Sequence, residues 1–322
     1  MSSRFRPIDP STDGSRLWAA IPGDWRRPLA KESFEIYWRD RDSFGQIIPR
    51  PEPWEVARFY EVETYYTHGA AETGRSGRES FLARLVFHLA WRMDRGIDTD
   101  DNWWLSQLGN EPRDVLEIGC GNGSTLQRLS RLGHNCLGIE PDPLARVAAR
   151  QSGVDVLEGT AESLPEQVAN RQFDCVVLSH VLEHCIDPFK AIQNIRALLR
   201  PNSILIIEVP NNACAGLKFF GNVWLWLDVP RHLNFFTRAS LRALLSNYGF
   251  AESKVEYLGY CRQFGEPWQK AQAEIAQQFK KRKPNGIVNK VAYLTFSAFA
   301  RPDKKYDSVR VIAHLSRPNE DT

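Results

Sequence analysis

The chain has 322 residues, of which 43% are hydrophobic and 25% charged, and its formal net charge is only +2. This composition is typical of a globular protein with a sizeable core. So small a net charge provides no strong field for holding nucleic acid or an anionic membrane, which argues against those classes of partner.

The cysteines and the N-terminal sequence are used to predict the cellular compartment. The six cysteines form no CxxC pair and stand mostly in apolar runs, which predicts buried thiols rather than disulfides or a zinc site. The first residues lack the apolar stretch of a signal peptide, and no window is long enough for a transmembrane span. We therefore expect a reduced, cytoplasmic protein.

The first sixty residues have weak periodicity, and the pattern changes from residue 79. Residues 1 to about 60 are rich in Pro, Arg and Trp and are predicted to be loops with short strands. Apolar residues at helical spacing predict an amphipathic helix over 79–94.

A regular alternation of strands and helices then begins. Strands are predicted at 115–119, 135–140, 154–159, 173–180, 203–210, 253–259 and 308–315. Helices are predicted at 124–132, from Asp142 to near Gly153, after Asp187, at 238–248, and near 266–282 and 286–300. Such repetition predicts a doubly wound α/β sheet with right-handed crossovers, whose ligands lie beyond the carboxyl ends of the strands.

The turn between the first core strand and its helix has the sequence VLEIGCGNG, with glycines at 119, 121 and 123. Glycines let a ligand approach the backbone, and the following helix offers free N–H groups. The spacing differs from the GxGxxG of dinucleotide sites. Glu117 precedes the turn, where it suits a cationic ligand better than a pyrophosphate, and Glu140 ends the next strand, where a carboxylate can accept hydrogen bonds from a ribose. Together these residues favour an adenosyl sulfonium.

Residues 113–210 resemble the core of the class I S-adenosyl-L-methionine-dependent methyltransferases, of the type 11, 12 or 23 kind. The matching pieces, in order, are VLEIGCGNG, GIEPD, GTAESLP, FDCVVLSHVLEH and LLRPNSILIIEVPN, and PRHLNFFTRASLRALLSNYGF resembles the segment before the last two strands. The resemblance implies a seven-stranded Rossmann-like sheet with an antiparallel last strand. Four segments follow: an N-terminal extension (1–100), the cofactor-binding core (101–261), a helical insertion (262–306) and the last strand with the tail (307–322).

The resemblance also implies residue roles. Cofactor-binding residues would be Glu117, Gly119, Cys120, Gly121, Gly123, Glu140, Pro141, Ala161, Glu162, Ser179 and His180. Glu140 would hold the ribose hydroxyls, and Ala161 and Glu162 would meet the adenine edge. Glu162 has an alternative role as a charge that favours a helix start.

The candidate general bases are His180 and His232. Some ubiquinone-type and small-RNA methyltransferases have a Glu-x-x-Glu-His motif with a later His that binds a metal, which here would leave Glu183, His184 and His232. Because His180 replaces the first Glu, we expect no metal and a structural role for His184.

Acceptor specificity is expected outside the core. Candidate substrate-binding residues are Tyr65, Tyr66, Trp224, Trp226, Arg231 and Phe235, although the aromatic ones suit packing equally well. The leading hypothesis is methyl transfer to oxygen or carbon of a small or medium-sized acceptor, such as a sugar, a lipid-linked molecule or a secondary metabolite. The alternatives are an RNA 2′-O-methyltransferase that uses a His/Glu metal site and a non-catalytic S-adenosylmethionine-binding regulator.

Overall fold

A computed structural model describes residues 5–30, 32–60, 81–279 and 286–315. In chain order its strands are β1 (Arg16–Ile21), β2 (Phe34–Arg39), β3 (Phe44–Ile47), β4 (Asp114–Ile118), β5 (Asn135–Ile139), β6 (Val156–Leu157), β7 (Phe173–Ser179), β8 (Leu199–Pro210), β9 (Asn234–Phe235), β10 (Phe250–Leu258) and β11 (Ser308–Leu315). Its helices are α1 (Pro53–Phe59), α2 (Phe81–Met93), α3 (Asp101–Leu108), α4 (Ser124–Arg131), α5 (Pro143–Gln151), α6 (Glu166–Ala169), α7 (Pro188–Leu198), α8 (Ala215–Phe220), α9 (Arg238–Asn247), α10 (Glu266–Gln278), α11 (Gly286–Ser297) and α12 (Pro302–Lys305).

The main sheet has seven strands in the spatial order β10-β11-β8-β7-β4-β5-β6. Strands β4 to β8 pair in parallel, and β11 is antiparallel to both of its neighbours. The central strands are apolar along their length because helices cover both faces, and their side chains form the largest buried cluster. The predicted doubly wound sheet with an antiparallel last strand is confirmed.

Side-chain caps fix where three helices begin at the carboxyl edge of this sheet. Asp142 accepts a hydrogen bond from the amide of Leu144, and Asp187 accepts from the amides of Phe189 and Lys190. Thr237 forms a reciprocal capping box with Ser240 at the start of α9. These caps hold the preceding loops, which carry the candidate site, in fixed positions.

A second sheet has four strands in the order β1-β2-β3-β9. Its first three strands come from the N-terminal extension, but β9 comes from the loop before α9 and pairs Gly45 with Phe235. The extension is therefore joined by backbone hydrogen bonds to the loop that carries His232.

Some predicted bounds differ from the structure. The predicted strand 154–159 is reduced to Val156–Leu157, because β6 is an edge strand that pairs with only two residues of β5. The predicted helical insertion contains α10, α11 and α12, and all its described residues lie between β10 and β11. The division into four segments stays a prediction.

Candidate active site

The glycine turn follows β4 and has a left-handed backbone. Gly119 has φ 70° and Gly123 has φ 76°, conformations that residues with a side chain rarely adopt. A Cβ atom at Gly119 would overlap the side chain of Val181 in the loop after β7. The glycine therefore allows these two loops to meet at the edge of the sheet.

Glu140 ends β5 and holds the glycine turn. Its Oε2 accepts a hydrogen bond from the amide of Gly121 at 2.8 Å, and its Oε1 accepts from the amide of Asp142 at 2.9 Å. Burial raises the pKa of Glu140 above its usual value, against these two backbone bonds. A carboxylate has about four lone-pair positions, so both oxygens retain capacity for a ribose diol.

Glu117 is buried on β4, and among the described residues its Oε2 has no hydrogen-bond partner. Burial raises the pKa of Glu117 to about 8, and the nearby charge of Glu140 adds to the rise. The side chain lines a cavity of about 210 Å³ that also reaches Ser179 at the end of β7 and the first turn of α4. A buried carboxyl with an unpartnered oxygen beside a cavity is the kind of group that a cationic ligand satisfies.

Cationic side chains line the same cavity. Arg310 on β11 binds Glu208 through Nη2 at 2.7 Å and is thereby neutralised. Arg128 on α4 is partly exposed, with its guanidinium near Asp101 and hydrogen-bonded to the carbonyl of Thr99. A cavity with both signs of charge is suited to the ammonium and carboxylate of an amino acid.

Three of the other predicted cofactor-binding positions surround the turn. Cys120 is buried beneath it and packs against Gly138, whereas Pro141 and Ser179 are exposed beyond β5 and β7. This arrangement brings the predicted residues of the first, second and fourth core strands together at one edge.

The predicted adenine-edge residues follow β6. Ala161 is buried, and its carbonyl accepts a hydrogen bond from Asn194. Glu162 accepts a hydrogen bond from the amide of Asp187 at 2.7 Å, so its carboxylate is engaged just before α7. The position of Glu162 fits its alternative role at a helix start.

His180 follows β7 in a left-handed conformation, with φ 54°. Its Nδ1 lies 3.2 Å from Glu183 Oε1 and its Nε2 lies 3.1 Å from Glu208 Oε1. Burial disfavours the charged ring, but the two carboxylates outweigh it and raise the pKa of His180 to about 9. A ring held in this way is protonated at neutral pH and has no lone pair for accepting a proton.

Glu183, His184 and His232 meet beside this ring. Their ligand-type atoms all lie within 4.8 Å of one another, and the rings of the two histidines are 4.7 Å apart. Among the described residues, Glu183 Oε2 is buried without a hydrogen-bond partner. Burial is the main cause that lowers the pKa of His232 to about 4.

Backbone carbonyls orient both histidines. His184 Nδ1 lies 3.0 Å from the carbonyl oxygen of Arg231, and His232 Nδ1 lies 3.0 Å from that of Trp226. A carbonyl can only accept, so each Nδ1 is assigned the proton and each Nε2 keeps its lone pair. Metal-binding histidines are commonly held in this way, with the second nitrogen donating to a carbonyl.

The predicted acceptor-binding residues have different environments. Trp226 is half-buried and its ring lies 5.4 Å from that of His180, so it borders the cluster. Trp224 and Phe235 are buried in the core of the N-terminal sheet. Arg231 is fully buried and binds Asp24 through both terminal nitrogens at 2.9 and 2.8 Å. Tyr65 and Tyr66 lie outside the described residues.

The structure adds residues that the sequence analysis does not single out. Tyr60 Oη lies 2.9 Å from His184 Nδ1, and Arg128 and Thr125 line the cavity beside Glu117. Tyr60 stands in the aromatic segment FYEVETYYTHG, which is the signal that could have identified it. The position of Arg128 one turn into the helix after the glycines is a weaker signal.

A doubly wound sheet with an antiparallel last strand, a glycine turn after its first core strand and an acid after the second defines the class I methyltransferases, whose cofactor is S-adenosylmethionine. The chain belongs to this family, and the methyltransferase-domain family matches residues 99–254.

Two curated relatives are both named ubiquinone biosynthesis O-methyltransferase. The protein from a Ruegeria species is 33% identical over 212 residues, which are 62% of this chain and 82% of the relative. The protein from Azorhizobium caulinodans is 31% identical over 154 residues, which are 44% of this chain and only 60% of the relative.

Among solved structures, the chain is similar to a methyltransferase dependent on S-adenosylmethionine from Archaeoglobus fulgidus. The TM-score is 0.47 at 20% identity, covering 72% of this chain and 93% of the other. As for membranes, none of the helices in the described ranges combines the length and the apolar character needed to cross a bilayer.

Proposed function

We propose that this protein transfers the methyl group of S-adenosylmethionine to an oxygen atom of a small acceptor. The observation that carries the proposal is the meeting of two sites at one sheet edge. Gly119 of the cofactor turn contacts Val181, and Val181 lies two residues before Glu183 of the polar cluster. Both relatives are named O-methyltransferases, which supports oxygen over carbon as the methylated atom.

The cofactor would lie across the ends of β4, β5 and β7. Glu140 would accept hydrogen bonds from the ribose, Glu117 would face the ammonium, and Arg128 would face the carboxylate of the methionine part. When bound, S-adenosylmethionine supplies an electrophilic methyl group on a sulfonium, so the protein has mainly to align the acceptor with it.

The polar cluster would bind the acceptor hydroxyl. Glu183 Oε2 and His232 Nε2 are the hydrogen-bond acceptors best placed to orient it and to draw its proton, with Trp226 as an apolar wall. His180 donates from both ring nitrogens to carboxylates and so fixes Glu183 in position. In this proposal His180 is a positioning residue and His232 keeps the base role.

The same cluster supports a divalent metal as a second candidate feature. Glu183, His184 and His232 offer one carboxylate oxygen and two imidazole nitrogens, a donor set that suits Mg²⁺, Mn²⁺ or Zn²⁺. The buried unpartnered oxygen of Glu183 and the two carbonyl-oriented histidines fit such an ion. A bound metal would polarise the acceptor hydroxyl and favour its ionised form.

An assay with methyl-labelled S-adenosylmethionine tests the proposed reaction. Phenolic, catecholic and sugar hydroxyl acceptors, an amine, a carbon nucleophile and a short RNA are each incubated with the full chain, and products are identified by NMR. We expect an O-methyl product from a small hydroxyl compound. Methylation only of carbon, nitrogen or RNA would overturn the proposal, as would tight cofactor binding without transfer to any acceptor.

Calorimetric titration of metal-stripped protein with Mn²⁺ tests the metal candidate without reference to activity. We expect binding to the wild type, weaker binding to Glu183→Gln and His184→Ala, and unchanged binding to Glu158→Gln, whose side chain is 75% exposed. Equal binding by all four proteins, or no binding by the wild type, would exclude a metal at this cluster.

A further inference from the structure

Helices α2 and α11 pack side by side at the surface. Val86 and Ala90 of α2 share a buried cluster with Tyr293 of α11 and with Tyr260 and Phe264 of the turn after β10. Helix α2 uses only this narrow strip for burial, since Val86 and Ala90 are its two buried residues. Most of its circumference is therefore open.

The open surface of the two helices is strongly apolar. Of sixteen large apolar side chains that are exposed in the described residues, six lie on α2 and four on α11 or the turn after it. They are Phe81, Leu82, Leu85, Phe87, Leu89 and Trp91, and Val288, Val291, Phe296 and Phe299. Phe81 is 83% exposed, Trp91 60% and Phe299 92%. We call this set the α2–α11 face.

Basic side chains lie on the α2 part of the α2–α11 face. Arg84, His88 and Arg92 are exposed on α2, and residues 80–93 include no acidic residue. The charge on the exposed side of α2 is therefore positive, although the net charge of the whole chain is small.

We propose that the α2–α11 face docks on a membrane surface that contains anionic phospholipids. Exposed Phe, Trp and Leu among arginines are typical of helices that lie in the headgroup region, and the charge is complementary to anionic lipid. This inference does not depend on the acceptor of the proposed methyl transfer.

Vesicle flotation of the full chain tests the docking. We expect the protein to float with vesicles of phosphatidylcholine mixed with phosphatidylglycerol, to float less with phosphatidylcholine alone, and to be released by salt. Each cation near anionic lipid strengthens binding by about fivefold, so Arg84→Gln combined with Arg92→Gln should weaken partitioning by about 25-fold.

A matched pair of variants separates the face from general hydrophobicity. Phe81→Ser with Trp91→Ser should lose flotation, whereas Trp54→Ser with Leu144→Ser should keep it, although Trp54 and Leu144 are 62% and 61% exposed. All four positions are exposed, so folding should survive, and circular dichroism verifies this.

Equal flotation of both double variants would overturn the proposal, as would absence of the wild type from anionic vesicles. The alternative partner of the α2–α11 face is a second copy of this chain. Light scattering that shows a dimer split by the Phe81 and Trp91 substitutions, together with no flotation, would assign the face to that copy instead.

Discussion

At the scale of single residues, three buried carboxylates have different environments. Glu140 is bonded to two backbone amides, Glu183 has the ring of His180 beside it, and burial raises the pKa of Glu117 to about 8. Because burial disfavours the charged form of Glu117 so strongly, its charge should depend most on a ligand.

We expect Glu140→Ala to weaken binding of S-adenosylmethionine by about 10- to 100-fold, the effect of losing hydrogen bonds to a charged group. The substitution also removes an acceptor from the Gly121 amide. Titration calorimetry measures the effect, with the exposed Glu158→Ala as control. Unchanged affinity in Glu140→Ala would remove its proposed ribose role.

Binding of S-adenosylmethionine should release a proton near pH 7. Glu117 holds its proton up to about pH 8 in the ligand-free protein, and a cationic ligand favours its ionised form. Calorimetry in two buffers with different ionisation enthalpies counts the protons. Equal proton release by wild type and Glu117→Gln would contradict this assignment.

The raised pKa of Glu117 also makes the stability of the ligand-free protein depend on pH. Because the folded pKa of Glu117 is raised, its stabilising contribution is complete below its usual pKa of 4.5 and is lost as pH rises to about 8. Glu117→Gln should therefore match the wild type near pH 4.5 and melt at a higher temperature above pH 8. A difference in melting temperature between the two proteins that stays constant from pH 4.5 to pH 8 would contradict a raised pKa of Glu117.

At the scale of elements, the loop from Arg231 to Phe235 connects the two sheets. Its backbone pairs with β3, Asn234 binds the carbonyl of Cys185 at 2.6 Å, and Arg231 binds Asp24 and Asp228. The loop is thereby fixed from three sides, which positions His232 against Glu183 and His184.

Arg231→Met should destabilise the protein by about 3–5 kcal/mol, because it leaves the buried carboxylate of Asp24 without its cation and leaves Asp228 paired with Arg26 alone. Arg242→Met is the control, since Arg242 is 68% exposed and 3.9 Å from Glu252, and should cost about 0–1 kcal/mol. Denaturant unfolding measures both. A stable Arg231→Met protein with a raised KM for the acceptor would instead assign Arg231 to acceptor binding.

The strands and helices of the core could be predicted because the hydrophobic periodicity of their sequences is strong and because the capping residues lie next to the helices in the sequence. The run FDCVVLSH predicts a buried strand, and Asp142 and Asp187 predict helix starts. Strand β9 could not be predicted in this way, because it has two residues and pairs with a strand far away in the sequence. The burial of Arg231 depends on the same distant pairing.

At the scale of the whole molecule, an α/β core and an N-terminal sheet together build one polar cluster. The resemblance named all three members of the cluster only as an alternative metal set, whereas the expectation of no metal and of a structural role for His184 stays a prediction. The orientation of each imidazole was beyond the sequence, because it depends on carbonyls in the loop from Trp226 to Arg231. The contact of Tyr60 in the N-terminal extension with His184 was also beyond the sequence, because the two residues are far apart in the chain.

The most direct test of this account is a crystal structure of the full chain with S-adenosylhomocysteine, the product form of the cofactor. We predict that its ribose hydroxyls lie on Glu140, its ammonium on Glu117, and its sulfur toward Glu183, His184 and His232. A ligand whose ribose lies away from Glu140, or whose sulfur faces away from this cluster, would contradict the account.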